Sequence, residues 1–234
     1  MKKFHFPVLL TGAAILVLFM AGCKKSSGSN NNDGRSSLVN GLVASFTNSA
    51  ITNGQSATPV TYSFTYDSLN RMLEEVSSDG ESPITLTYGT GTVTEVQGTV
   101  TTIFTLGNDG YAASDNQGNT YTYSDGLLLS MINTSGASTI NTVVNGNIVN
   151  SVETAVGGAT TTLGFTYTNM PNYISTNIDR YTGNIDANLP ASESINGVSA
   201  TFTWNNIDSK GRPQSLKIVE GNSTLTRTYT YLYP

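Results

Sequence analysis

The chain has 234 residues, 38% of them hydrophobic and only 12% charged, with a formal net charge of −5. That balance is too apolar for a disordered chain. Its basic residues (Arg71, Arg180, Lys210, Arg212, Lys217 and Arg227 in the body of the chain) are scattered, so no concentrated basic surface exists to release counterions from nucleic acid.

The first residues read as a targeting segment. Met1-Lys2-Lys3 is a short positive start, followed by an apolar stretch from Phe6 to Met20 and the small pair Ala21-Gly22. This is short for a spanning helix and has the layout of a cleaved signal peptide over 1–22. Met20-Ala21-Gly22-Cys23 resembles the lipobox of bacterial lipoproteins. The resemblance implies diacylglyceryl attachment to the sulfur of Cys23, the only cysteine, with cleavage after Gly22 and acylation of the new amino group. One acyl chain binds a membrane marginally, but the several chains of a lipoprotein hold it durably. Lys24 follows Cys23, where Asp would resemble an inner-membrane retention signal, so the outer membrane is expected. Lys24-Lys25 precede Asp33 and no acidic run follows the cysteine, which favours the periplasmic face over the cell surface. Residues 23–37, rich in Ser, Asn and Gly, form the acylated start and a flexible linker.

From Leu38 to Pro234 the chain reads as a single all-β domain. Asn145-Gly146, between Val143-Val144 and Ile148-Val149, is a strong two-residue hairpin signal. Asn53-Gly54, Asp79-Gly80, Asp109-Gly110, Asp125-Gly126, Gly157-Gly158, Asn196-Gly197 and Gly221-Asn222 are further turn sites. Aromatics alternate along several runs: Tyr62-Phe64-Tyr66, Tyr121-Tyr123, Phe165-Tyr167, Phe202-Trp204 and Tyr229-Tyr231-Tyr233. With period two these share a face, which is expected to be buried while the Thr/Ser face is wet. No stretch beyond the leader has a 3.6-residue period. The fold class is an antiparallel meander of many hairpins, barrel-like or half-barrel.

Two hairpins look like a diverged repeat. Tyr66-Asp67-Ser68-Leu69-Asn70-Arg71-Met72 resembles the Tyr-Asp-x-x-Gly-Arg core of YD-type repeats, and the run from Trp204 to Pro213 keeps Gly211-Arg212 with a different spacing expected for its Asp. With the lipobox, and with Asn184-Ile185-Asp186-Ala187-Asn188, the chain resembles a family of Bacteroidetes lipoproteins, domain of unknown function 4595. The resemblance covers Leu38 to Pro234 and implies a porin-like fold; the family brings no activity with it.

The sole histidine, His5, lies in the leader. The exported chain therefore lacks the imidazole and free thiol of Ser-His-Asp or Cys-His catalysis and of zinc sites built on them. Gly89-Thr90-Gly91 lacks the third Gly and helix of a dinucleotide fingerprint and reads as a turn. Asp115-Asn116-Gln117-Gly118-Asn119 lacks the spacing of a calcium loop and reads as an Asx turn. Asp67-Ser68-Leu69 resembles an O-glycosylation triplet, which would place a glycan on Ser68. Glycoside hydrolysis needs two carboxylates about 5–9.5 Å apart. Glu74 and Glu75 point to opposite faces of a strand, which leaves Asp186 and Glu193 as the candidate couple. The leading expectation is a non-enzymatic binding or structural module of the envelope without cofactor or metal. Its partners are the membrane, through lipid, and a glycan, lipid or protein ligand that the sequence does not identify. A carrier holding an apolar ligand in an aromatic-lined barrel comes second, and a carboxylate-dependent glycan hydrolase third. A membrane-spanning porin is disfavoured, because many strands fall short of the 9–11 residues required.

Overall fold

The computed structural model describes residues 41–175 and 181–233; the expected leader, Cys23 and the linker lie outside the described residues. Hairpin after hairpin follows Gly41: β1 (Val43–Thr52), the two-residue β2 (Gln55–Ser56), β3 (Val60–Tyr66), β4 (Met72–Ser77), β5 (Ile84–Gly89) and β6 (Thr92–Gln97). The chain continues through β7 (Val100–Leu106), β8 (Ala112–Asp115), β9 (Asn119–Ser124), β10 (Leu127–Asn133), β11 (Ser138–Val144) and β12 (Asn147–Thr154). It ends with β13 (Thr160–Pro171), β14 (Asn188–Ile195), β15 (Val198–Ile207), β16 (Pro213–Glu220) and β17 (Ser223–Tyr231). All named strands pair antiparallel, and β1 pairs with both β3 and β17, so the sheet closes. β2 extends the β1 hairpin; the other sixteen strands make the wall. The barrel is closed, where the sequence left open a half-barrel.

Every marked turn dipeptide falls between successive strands. Asn53-Gly54, Asp125-Gly126, Asn145-Gly146 and Asn196-Gly197 have positive φ at both residues, the type I′ geometry that matches strand twist. A longer turn recurs at 67–71, 107–111, 133–137, 155–159 and 208–212. In each, the first N–H donates to the fifth carbonyl and the fourth N–H to the first carbonyl. Its fourth residue needs positive φ, which Asn70 accepts at 59° and glycine supplies elsewhere. The two YD-like hairpins prove to be the same device. Asp67 and Asp208 each stand four residues before Arg71 and Arg212, so the different spacing expected at the second is not found; what differs is Ile207 in place of Tyr66.

Alternation sorts the wall. Phe46, Phe64, Leu86, Val93, Phe104, Leu216, Ile218, Tyr229 and Tyr231 point inward and pack as one cluster, with Phe202 and Trp204 half-buried against it. Outward positions are dominated by Thr and Ser, as on β17, where Thr224, Thr226, Thr228 and Thr230 alternate with inward residues. Tyr233 lies beyond β17 and is exposed, so the expected three-Tyr face holds only for Tyr229 and Tyr231.

One end of the barrel is plugged. Residues 172–175 and 181–187, between β13 and β14, reach strands and turns around its rim. The Ser175 carbonyl accepts from Val43 N at 2.9 Å, the Tyr181 carbonyl from Ala112 N at 2.6 Å, and Asn184 N and Ala187 N donate to the Gly126 and Gly146 carbonyls. The chain enters and leaves at this end too, where Leu232 N donates to the Leu42 carbonyl. Register shifts in β1–β17, β3–β4, β7–β8, β9–β10, β11–β12 and β13–β14 sit toward this rim, where bulges bend strands.

Candidate functional site

Tyrosines hold the plugged end together. The hydroxyls of Tyr66, Tyr88, Tyr167 and Tyr231 donate to the carbonyls of Val43, Met72, Ile148 and Pro213 at 2.6, 2.8, 2.5 and 2.6 Å. A buried phenol needs such a partner, and here the wall's own backbone supplies it. Tyr181 of the plug packs its ring 4.7 Å from that of Phe104 and donates to Glu95. Ring packs on ring through the interior, from Tyr62, opposite Ser77 near the far turns, through Phe46 and Tyr229 to Trp204.

The Asn184–Asn188 run supplies the plug's polar anchors. Asn184 accepts from the Tyr111 hydroxyl and donates to the Asp125 carbonyl. It lies so close to Gly126 that a Cβ there would fall 1.9 Å from its amide nitrogen. Asn188 and Asn147 exchange hydrogen bonds. Asp186, 2% exposed, accepts the Ile148 N–H at 2.6 Å. Burial raises its carboxyl to about 6, opposed by that N–H and, less, by the Tyr167 hydroxyl. Asp186→Ala should cost about 1–3 kcal/mol, because it strands a buried amide. Hydrogen exchange at Ile148 and across 181–187 should quicken, and Asp186→Asn, which keeps an acceptor, should do less.

The expected couple of Asp186 and Glu193 is not brought together. Asp186 is spent on the plug, and the carboxylates acting on Glu193 are Glu220 and Glu153. Glu74 and Glu75 do face opposite ways: Glu75 pairs with inward Phe64, Glu74 with outward Thr65. Asp115 is an Asx turn, its carboxylate accepting from the amides of Gln117 and Asn119, the Asn119 side chain and the Tyr121 hydroxyl. Among the described residues no group of His, Cys, Asp and Glu could hold a metal ion. Gly89-Thr90-Gly91 is the β5–β6 turn. Ser68 is exposed in the 67–71 turn, open to modification but with no contact that bears on it.

What the turn and aromatic patterns of the sequence did not bring out is the polarity of the interior. Within the strands, register turns Glu75, Glu95, Asp115, Glu153, Glu193 and Glu220 inward, with Arg227, while Glu74 and Lys217 face out. Arg227 is buried, donates to Asn48 at 2.7 Å and lies 4.3 Å over the Phe46 ring. The interior therefore carries an excess of carboxylates, of which Glu95 meets Tyr181 of the plug. The densest group is Glu153, Glu193 and Glu220 on β12, β14 and β16. Glu193 is 4% exposed; burial, then the fields of Glu220 and Glu153, push its carboxyl up to about 7. All three lie within a few residues of the turns at the end opposite the plug.

No protein-family model matches the chain, and no curated protein sequence matches it. Solved structures do. A porin-like protein from Bacteroides uniformis aligns over 82% of this chain and 97% of its own, with TM-score 0.59 and 16% identity. A porin-like protein from Bacteroides vulgatus aligns over 82% of this chain and 99% of its own, with TM-score 0.55 and 12% identity. At these identities the likeness is one of fold, and it spans the barrel: the chain has a porin-like architecture.

Proposed function

We propose that this chain is an outer-membrane lipoprotein of the porin-like family 4595, anchored through Cys23, whose plugged barrel is a non-enzymatic binding or structural module. The observation that carries the reading is the barrel's two-ended construction. One end is filled by aromatic packing and the 181–187 anchors; the other presents a polar, acidic interior. A wall on which exposed Leu, Ile and Val (Leu73, Ile103, Leu129, Ile132 and Ile140 among them) stand between many Thr and Ser, rather than forming a continuous apolar band, suits water on its outside better than lipid. The aromatic interior is packed on itself, and the phenols of Tyr66, Tyr88 and Tyr231 are satisfied by backbone, which speaks against an apolar cargo. The separation of Asp186 from Glu193 removes the one carboxylate couple that the sequence offered for a glycan hydrolase.

The tether enters at the plugged end, so an anchored Cys23 sets that end nearest the bilayer. Residues 24–40 could span at most about 60 Å if fully extended, enough to hold the acidic end out toward solvent. The test is fractionation in the native host. Wild-type protein should partition into detergent with the membranes, and Cys23→Ala should be a soluble exported protein or an uncleaved precursor. A mutant of normal mature mass that still partitions fully into detergent would sink the anchor.

A further inference from the structure

We propose that the end of the barrel opposite the plug is a binding site for a linear aliphatic polyamine, held by Glu153, Glu193 and Glu220. The inference rests on the reading of the barrel as a binding module and gives that module a ligand class.

The three carboxylates stand on alternate strands, with apolar side chains between them. Glu193 pairs across to Phe165 on β13 and Ala200 on β15, both members of the core clusters, so its side chain faces the interior. Glu220 follows Ile218 on the same face of β16 and lies opposite buried Ser223. Glu153 follows buried Ser151 on β12, and Ser151 lies opposite Leu163. Around the wall, Leu163 and Phe165 on β13 and Ala200 on β15 therefore lie between the three acids. Strands lie about 4.7–4.9 Å apart, so the backbones of Glu193 and Glu220, on either side of β15, are about 10 Å apart before the side chains converge. Glu153 pairs with Thr161, four residues along β13 from Phe165, so its backbone is offset from that of Glu193 by about 13 Å along the strands as well.

Glu193 is the independent sign of a missing partner. Its Oε1 is buried and accepts no hydrogen bond. A buried acceptor of this kind is costly unless something supplies a donor. The Asn141 Oδ1 is a second buried acceptor without a partner. Asn141 pairs with Ser151, which makes it the diagonal neighbour of Glu153 on the inward face. Acceptors left open, negative charge and intervening apolar surface together call for a ligand that brings several N–H donors, positive charge and methylene runs. A single metal ion does not fit, since among the described residues no trio of acids lies close enough to ligate one. An extended polyamine can meet acids a strand-pair apart with ammonium groups while its methylenes lie on Leu163, Phe165 and Ala200.

The experiment is calorimetric titration of spermidine into the purified full-length lipoprotein in neutral detergent at pH 8, with magnesium chloride at matched ionic strength as the comparison. Saturable spermidine binding that magnesium does not reproduce is expected. Glu193→Gln should weaken it about tenfold, the effect of roughly one lost charge-assisted contact. Glu153→Gln and Glu220→Gln should each weaken it in the same sense, and Glu74→Gln, on the outer face, should leave it unchanged. Any of three results would overturn the proposal: no saturable binding at millimolar spermidine, equal displacement by magnesium, or a Glu74→Gln loss as large as that of Glu193→Gln. Because fractionation of Cys23→Ala reads the anchor alone, failure of the polyamine site and failure of the anchor are told apart.

Discussion

Arg212→Ala should destabilise the barrel by about 3–5 kcal/mol, whereas the equivalent Arg71→Ala should cost about 1 kcal/mol or less. The two turns share their hydrogen bonds. In each, Asp Oδ1 accepts from the second and fourth following amides, Oδ2 accepts from the Arg Nε, and the guanidinium lies over a Tyr ring. They differ in burial. Arg71 is 38% exposed in its side chain, so water replaces much of what is lost. The Arg212 side chain is 5% exposed and also donates to the Tyr233 carbonyl at 2.6 Å, which ties the segment after β17 to the turn. Its removal strands Asp208, that carbonyl and the face of Tyr231 together. Urea unfolding of the two single mutants checks the contrast. Equal costs would mean that the turn motif, and not its burial, sets the energy.

The repeated parts of the fold were legible because their causes are local. Asn145-Gly146 fixes a type I′ turn through two residues, and Thr-Tyr alternation in 228–231 fixes inside and outside through the next residue but one. Closure was not legible. Pairing β1 with β17 joins Phe46 to Tyr229, and nothing within either strand names the other. The plug was not legible: 184–188 stood out only as a family resemblance, because its bonds run to backbone groups of turns whose identity leaves no mark in sequence.

The acidic interior was half legible. Glu220 has the parity of Leu216 and Ile218, and Glu193 that of Ile195, so period two already turned both inward. Glu153 was hidden: a register shift in the β11–β12 pair changes the parity between Ile148 and Ser151, and both end up inside. One extra residue in a strand inverts every later side chain, and no composition rule recovers it.

Lowering the pH from 8 to 5 should stabilise the protein, and Glu193→Gln should remove most of that gain. Burial and two neighbouring carboxylates raise Glu193 to about 7 in the folded state from an ordinary 4.5, and burial raises Asp186 to about 6 from 3.8. Between the ordinary and raised values the folded chain binds more protons than the unfolded one, so stability climbs as pH falls through about 7 and about 6. The gain is complete below the unfolded carboxylate values. For Glu193 it is at most roughly 3 kcal/mol, since each tenfold change in proton affinity is worth about 1.4 kcal/mol. Asp67, Asp115 and Asp208 act in the opposite sense: burial would raise them, but hydrogen bonds from their turns outweigh it and hold them below the usual range. Their contribution is lost only as pH falls beneath ordinary carboxylate values, so the optimum should lie near pH 5. Urea melts of wild type and Glu193→Gln at both pH values decide it. The mutant should be the more stable by about 2 kcal/mol at pH 8 and indistinguishable at pH 5. A mutant less stable at pH 8 would show that the ionised carboxylate is held by favourable contacts, and the case for an open acceptor at the mouth of the barrel would fall with it. If the mutant is instead the more stable, the native chain carries a charge that weakens its own fold, the kind of cost that persists where a site needs it.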